Sequence, residues 1–165
     1  MKIDWSRHAP AGFPVIEEVK AFGGGCGGAS LFSLLYYVPR YADALSSLYR
    51  ANGAERTLIS GAVMPDFVEI LGRGLLSFQI LCACMIFFAG RHYLYHFRES
   101  KSIYTMRRLP NRWELHRRCL TLPAAGLIIS AAMAMLFLLA FYAVYMNMTP
   151  DACLTPGQWQ KIWSV

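Results

Sequence analysis

Histidines at positions 92 and 96 stand one helical turn apart, near enough to share a metal ion. No third His, Cys or carboxylate falls at ligand spacing beside them, so both read as histidines at an apolar–polar boundary rather than as ligands. Asp66, Glu69 and Arg73 crowd another short stretch. Glu69 and Arg73 are four apart, the spacing of a solvated helical ion pair, and the trio does not read as a catalytic cluster. Cys82 and Cys84 lie two residues apart on different helix faces and read as small apolar filler. The run "GGGCGG" at 23–28 lacks the lysine and the preceding strand of a phosphate-binding loop. No catalytic residue, cofactor site or metal site is therefore assigned, and the chain is not expected to hydrolyse ATP itself. What remains is a basic loop. "SKSIYTMRRLPNRWELHRRC", from Ser100 to Cys119, carries five arginines and a lysine between two long apolar stretches.

Those stretches are the elements that must hold the loop. The chain of 165 residues is 56% hydrophobic and only 16% charged, against about a quarter charged in an ordinary soluble domain. No Asp, Glu, Lys or Arg occurs from Gly74 to Gly90, or from Cys119 to Pro150. About 20 apolar residues cross a bilayer as a helix. Residues 74–95 and 121–146 therefore read as membrane spans, with Arg91 snorkelling outward from the first. A third candidate, 21–39, is uncharged but holds five glycines, each about 1 kcal/mol worse than Ala in a helix. Its alternative is a Gly-rich loop followed by a short interfacial helix. Three spans are the leading topology and two the alternative. The fold class is all-α: an integral membrane protein with short interfacial helices, in a single domain over 1–165. Residues 1–20 show no apolar signal-peptide core, so targeting is expected from the spans themselves.

Charge orients the chain. From Arg91 to Arg118 there are eight Arg or Lys and two acids, a surplus equal to the +6 of the whole sequence. Surplus Arg and Lys mark cytoplasmic loops. The 96–120 loop is thus placed in the cytoplasm, with 1–20 on the same side, 40–73 as an outer loop and 147–165 as an outer tail. The expected location is the plasma membrane, multi-pass, of a bacterial cell. Glu17 and Glu18 suit the start of a short amphipathic helix after Pro14. "PDFVEILGRGLLSF" reads as a helix that feeds the 74–95 span, with Phe67, Ile70, Leu71 and Gly74 on one stripe. Thr155, Pro156 and Gln158 match a capping box for a final helix carrying Trp159, Ile162 and Trp163 on one face.

Inside the basic loop, Leu109-Pro110 breaks any helix before it, Asn111 is a good N-cap and Glu114 stands where it reaches back to the cap. Glu114 and Arg118 pair at i,i+4. The expectation is an elbow at Pro110 and a helix from Arg112 into the last span. Such an elbow suits docking or force transmission, and lipid binding alone needs charge but no elbow. Base stacking is not expected from so short a loop, and no nucleic-acid partner is assigned.

The loop resembles the cytoplasmic loop of ABC-transporter permeases of the type-two exporter class. The matching residues are Glu99, Leu109, Pro110, Arg112, Trp113, Glu114 and Leu115, and Asn111 between them is assigned to the same coupling surface. The family places this loop between its second and third spans, as here. The resemblance implies a coupling helix over Pro110–Arg118 that sits in a groove of a separate ATP-binding-cassette subunit. It implies a permease-like role, with a second permease chain or another copy of this one, because a full permease of the class has about six spans. The arginine pair Arg107-Arg108 departs from the family pattern. With Arg117 and Arg118 it would fix topology and bind anionic lipid. The competing reading is a non-transporting membrane protein whose basic loop binds lipid or a soluble regulator.

Overall fold

The computed structural model describes residues 15–52, 55–59, 61–98 and 113–163. The chain is mostly helical: α1 (Val15–Ser47), a hairpin of β1 (Tyr49–Asn52) and β2 (Glu55–Leu58), α2 (Phe67–Leu71), α3 (Leu76–Arg98), α4 (Trp113–Met148), a 3-10 turn (Asp151–Cys153) and α5 (Gln158–Ile162). Two helices are long and apolar enough to cross a membrane, over Leu76–Tyr95 and Cys119–Met148. Both agree with the stretches read from charge. α1 is not among them.

Three expectations are corrected. The amphipathic segment after Pro14 and the 21–39 candidate are one helix, so the Gly run forms no loop. Glu17 and Glu18 occupy the first turn, where carboxylates favour the positive end of the helix dipole. At Gly25 a Cβ would stand 2.9 Å from Leu81 Cδ1, so glycine permits a close helix approach there. Second, the fold is not purely helical. Asn52-Gly53 is a turn signal in the sequence, and around it Asn52 pairs with Glu55 and Tyr49 with Leu58 in an antiparallel register. Third, the helix starting near Pro65 does not feed the next span. α2 stops at Gly72, whose φ of 42° suits glycine, and α3 begins afresh at Leu76.

The chain divides into two bodies. One gathers the described residues of 1–29 and 78–133; the other gathers 30–77 and 134–165. The second has an aromatic core. Tyr37 stacks on Phe141 at 4.1 Å between ring centroids, and Phe67 meets Tyr142 and Tyr145 edge-on. Phe67, Ile70 and Leu71 are all buried, as their shared stripe implies. Ser33 Oγ donates to the Gly74 carbonyl at 2.6 Å and holds the α2–α3 connection on α1.

The same body seats the chain's last helix. Gln158 was expected to cap its own helix, but α5 starts from Gly157, and the buried Gln158 instead caps α2. Its Oε1 accepts the Phe67 N–H at 2.9 Å, while its Nε2 donates to Asp66 Oδ1 at 3.0 Å and to Thr155 Oγ1. Gln158→Ala leaves the Phe67 N–H buried without an acceptor. We expect a loss of about 1–3 kcal/mol, read as a lower midpoint in denaturant titration of the purified protein.

Asp66 was read beside Glu69 and Arg73, yet it turns to the C-terminal segment. Lys161 Nζ donates to its Oδ1 at 2.7 Å and Thr155 Oγ1 at 2.9 Å. The hydrogen bond from Lys161, then those from Gln158 and Thr155, hold the Asp66 carboxyl below its ordinary range. A lowered folded-state value stabilises above the unfolded value, and that stability is lost as pH falls through the folded value. Asp66 is 40% exposed, so solvent screening keeps the effect under about 1 kcal/mol. The expected result is a small extra loss of stability below about pH 4, absent in Asp66→Asn, in melts compared across acid pH.

Candidate functional site

The site that the structure builds lies in the first body, around His92. α4 carries Pro123 inside its helical run. Proline has no N–H, so the Cys119 carbonyl four residues earlier lacks its helical donor. A buried carbonyl without a donor is costly, and this one finds another. His92 Nδ1 lies 2.9 Å from the Cys119 oxygen. A carbonyl only accepts, so Nδ1 carries a proton, and the tautomer is fixed by a proline in a different helix.

The other ring nitrogen faces α1. His92 Nε2 lies 2.7 Å from Glu18 Oε2, with the two side chains 0% and 9% exposed. Because Nδ1 is already protonated, one proton lies between Nε2 and the carboxyl group. The pair is either imidazolium with carboxylate or neutral imidazole with carboxylic acid, and it is electrically neutral both ways. Glu18 thereby ties α1 to α3, and His92 ties α3 to α4. Tyr93 adds a second link from α3 to α4 through its hydroxyl, 2.8 Å from His116 Nδ1. Val15, Tyr95 and Leu122 pack together in the same body.

His92, read as a histidine at the apolar–polar boundary, is thus fully buried and paired. The side chain of His96 lies outside the described residues. Among the described residues no three His, Cys, Asp or Glu side chains gather as a metal site. Cys82 is half-buried, Cys84 exposed and Cys119 buried, and each is a free thiol.

No protein-family model, curated protein or solved structure matches the chain. The residues of the basic loop therefore rest on their own placement. Glu99, Arg107, Arg108, Leu109, Pro110, Asn111 and Arg112 lie outside the described residues. Trp113, Glu114, Leu115, Arg117 and Arg118 form the first turns of α4. Trp113 is exposed, with its ring 5.9 Å from that of His116. Arg117 is exposed and its carbonyl accepts from Thr121 Oγ1 at 2.8 Å. The side chains of Glu114, Leu115 and Arg118 are not among those described. Sequence reasoning missed Glu18 and His92 as a pair. The signal open to it was Pro123, which frees a carbonyl that some donor must satisfy.

Proposed function

We propose that this chain is an integral membrane subunit, permease-like, of an ABC-type exporter, with the 98–118 loop docking on a separate ATP-binding subunit. Membrane insertion is supported by where the apolar surface lies. The most apolar windows of α3 and α4 are only 17% and 11% buried, whereas the core helix of a soluble protein is mostly covered. Ile80, Ile86 and Phe87 on α3, and Ile128, Leu136 and Leu139 on α4, all face outward. Patches of this extent suit contact with lipid. α1 would supply a third crossing, with the loop on the cytoplasmic side and the protein in the plasma membrane.

The observation that carries the coupling reading is the continuity of α4. The turn bearing Trp113 and Glu114 and the apolar stretch from Cys119 belong to one helix. Six residues into that helix, Cys119 is held to α3 through His92. The two helices that flank the loop are therefore linked at its base, and displacement of the docked loop reaches both directly. A flexible lipid-binding loop needs neither feature.

The test uses the complex in lipid. Trp113→Ala and Glu114→Lys are expected to reduce membrane-subunit-dependent ATPase activity at least about tenfold, the scale of losing one buried contact of about 1.4 kcal/mol. Insertion and expression stay unchanged. If both variants keep full activity while neutralising Arg107, Arg108, Arg117 and Arg118 abolishes binding to anionic vesicles, the loop is a lipid anchor and the coupling reading fails.

A further inference from the structure

Beside the Glu18–His92 pair is a cavity of about 150 Å³. Its walls include Phe22 on α1, Met85 on α3, and Leu122, Gly126 and Ile129 on α4, and Glu18 is its one charged lining residue among those described. That volume is roughly what holds a single benzene ring in an apolar protein cavity. Gly126 lets Met85 and Phe22 pack close against α4 at the edge of this cavity. A Cβ there would lie 2.5 Å from Met85 Sδ and 3.5 Å from Phe22 Cε2. Met85 is a side chain that adapts its shape to an occupant, and Phe22 offers an aromatic face to a cation.

We infer that this cavity binds an organic monocation with a ring-sized apolar body, its charged head on Glu18, in exchange for the proton that Glu18 shares with His92. The chemistry follows from the fixed tautomer. Pro123 and the Cys119 carbonyl keep His92 Nδ1 protonated, so only the proton between Nε2 and Glu18 is exchangeable. When the cation arrives, that proton leaves to solvent. The cation then neutralises the carboxylate, and His92 remains as neutral imidazole donating to Cys119. One positive charge enters and one leaves, so the buried site stays neutral, and a bare buried charge is avoided. A neutral molecule of the same shape displaces no proton and leaves the carboxyl group's pairing as it was. The inference does not depend on what the basic loop docks against.

Other titratable and charged groups stand on the same elements: Glu17 and Lys20 on α1, Arg91, Tyr93 and Tyr95 on α3, and His116, Arg117 and Cys119 on α4. The test must separate the pair from these. The full-length chain in lipid nanodiscs is titrated calorimetrically with benzylguanidinium, which stays charged at all accessible pH, and with its neutral isostere benzylurea. The expected result is binding of the cation at least about tenfold tighter than the isostere. Repeating the titration in buffers of different ionisation heat should show one proton released per cation bound. Glu18→Gln should remove both the preference and the proton release. Ile129→Trp, which fills the cavity without touching the pair, should abolish binding. Equal binding of the two ligands, cation binding without proton release, or no binding of either to the wild-type chain would each overturn the inference. The wild-type comparison decides even if Glu18→Gln fails to fold.

Discussion

His92→Ala should destabilise the first body by about 3–5 kcal/mol, the cost of breaking a buried, hydrogen-bonded ionisable pair by removing one partner. Two groups lose their partner at once. The Glu18 carboxyl group, 9% exposed, loses its 2.7 Å contact, and the Cys119 carbonyl loses the donor that replaces its missing helical one. The second loss can be isolated. Pro123→Ala restores an N–H four residues after Cys119, so the carbonyl regains a helical partner. In the His92→Ala background, Pro123→Ala should recover about 1–2 kcal/mol. In the wild-type background it should gain less, because the carbonyl is already satisfied. Denaturant titrations of the four proteins in one micelle system form a double-mutant cycle that reads this coupling. A cost below about 1 kcal/mol for His92→Ala, or purely additive effects, would contradict the assignment.

Tyr37→Ala should cost the second body about as much, roughly 3–5 kcal/mol, by a different route. Tyr37 is 1% exposed, and its ring stacks on Phe141 and Tyr41 and touches Phe67. Removing it opens a cavity at the centre of an aromatic cluster. Its hydroxyl also donates to the Phe141 carbonyl at 3.0 Å. That bond resembles the one from His92 to Cys119, but no proline follows four residues after Phe141. The Phe141 carbonyl keeps its helical donor, so Tyr37→Phe should cost only about 1 kcal/mol. The contrast between the two carbonyls is the sharper test. Side-chain donors of similar geometry should differ severalfold in worth, because one fills a vacancy and the other adds a second bond. Thermal melts in detergent of the Tyr37 variants, set beside those at His92, measure it.

What could be read from the sequence divides along physical lines. α3 and α4 were legible because a charge-free run is a local property, and the expected 74–95 and 121–146 agree with the apolar spans to within a few residues. α1 was harder. Glycine propensity argues against a helix at 23–28, and only a partner such as Leu81, more than fifty residues away in sequence, shows what the close approach at Gly25 accommodates. The hairpin was half legible. Asn52-Gly53 marks the turn, but "YRAN" and "ERTL" lack the apolar alternation that marks strands. Beyond the carbonyl that Pro123 leaves without a donor, neither the Glu18–His92 pair nor the Asp66–Gln158 cluster was legible. Each joins residues more than seventy positions apart, and spacing rules say nothing about such distances. The Thr155–Gln158 spacing predicted a local cap, but the glutamine side chain is satisfied better by Phe67 and Asp66, which only the fold brings near. Trp113 and the turns after it did emerge as the helical continuation expected from Asn111 and Glu114.

The most direct test of the coupling assignment is a photocrosslink from the loop in native membranes. A photoreactive side chain replaces Asn111, and the captured species is identified by mass. An adduct with an ATP-binding-cassette subunit is expected, lost when Glu114→Lys is added. Adducts with lipid alone, from a protein that is inserted and expressed normally, would contradict it and leave the arginine-rich loop as a topological anchor.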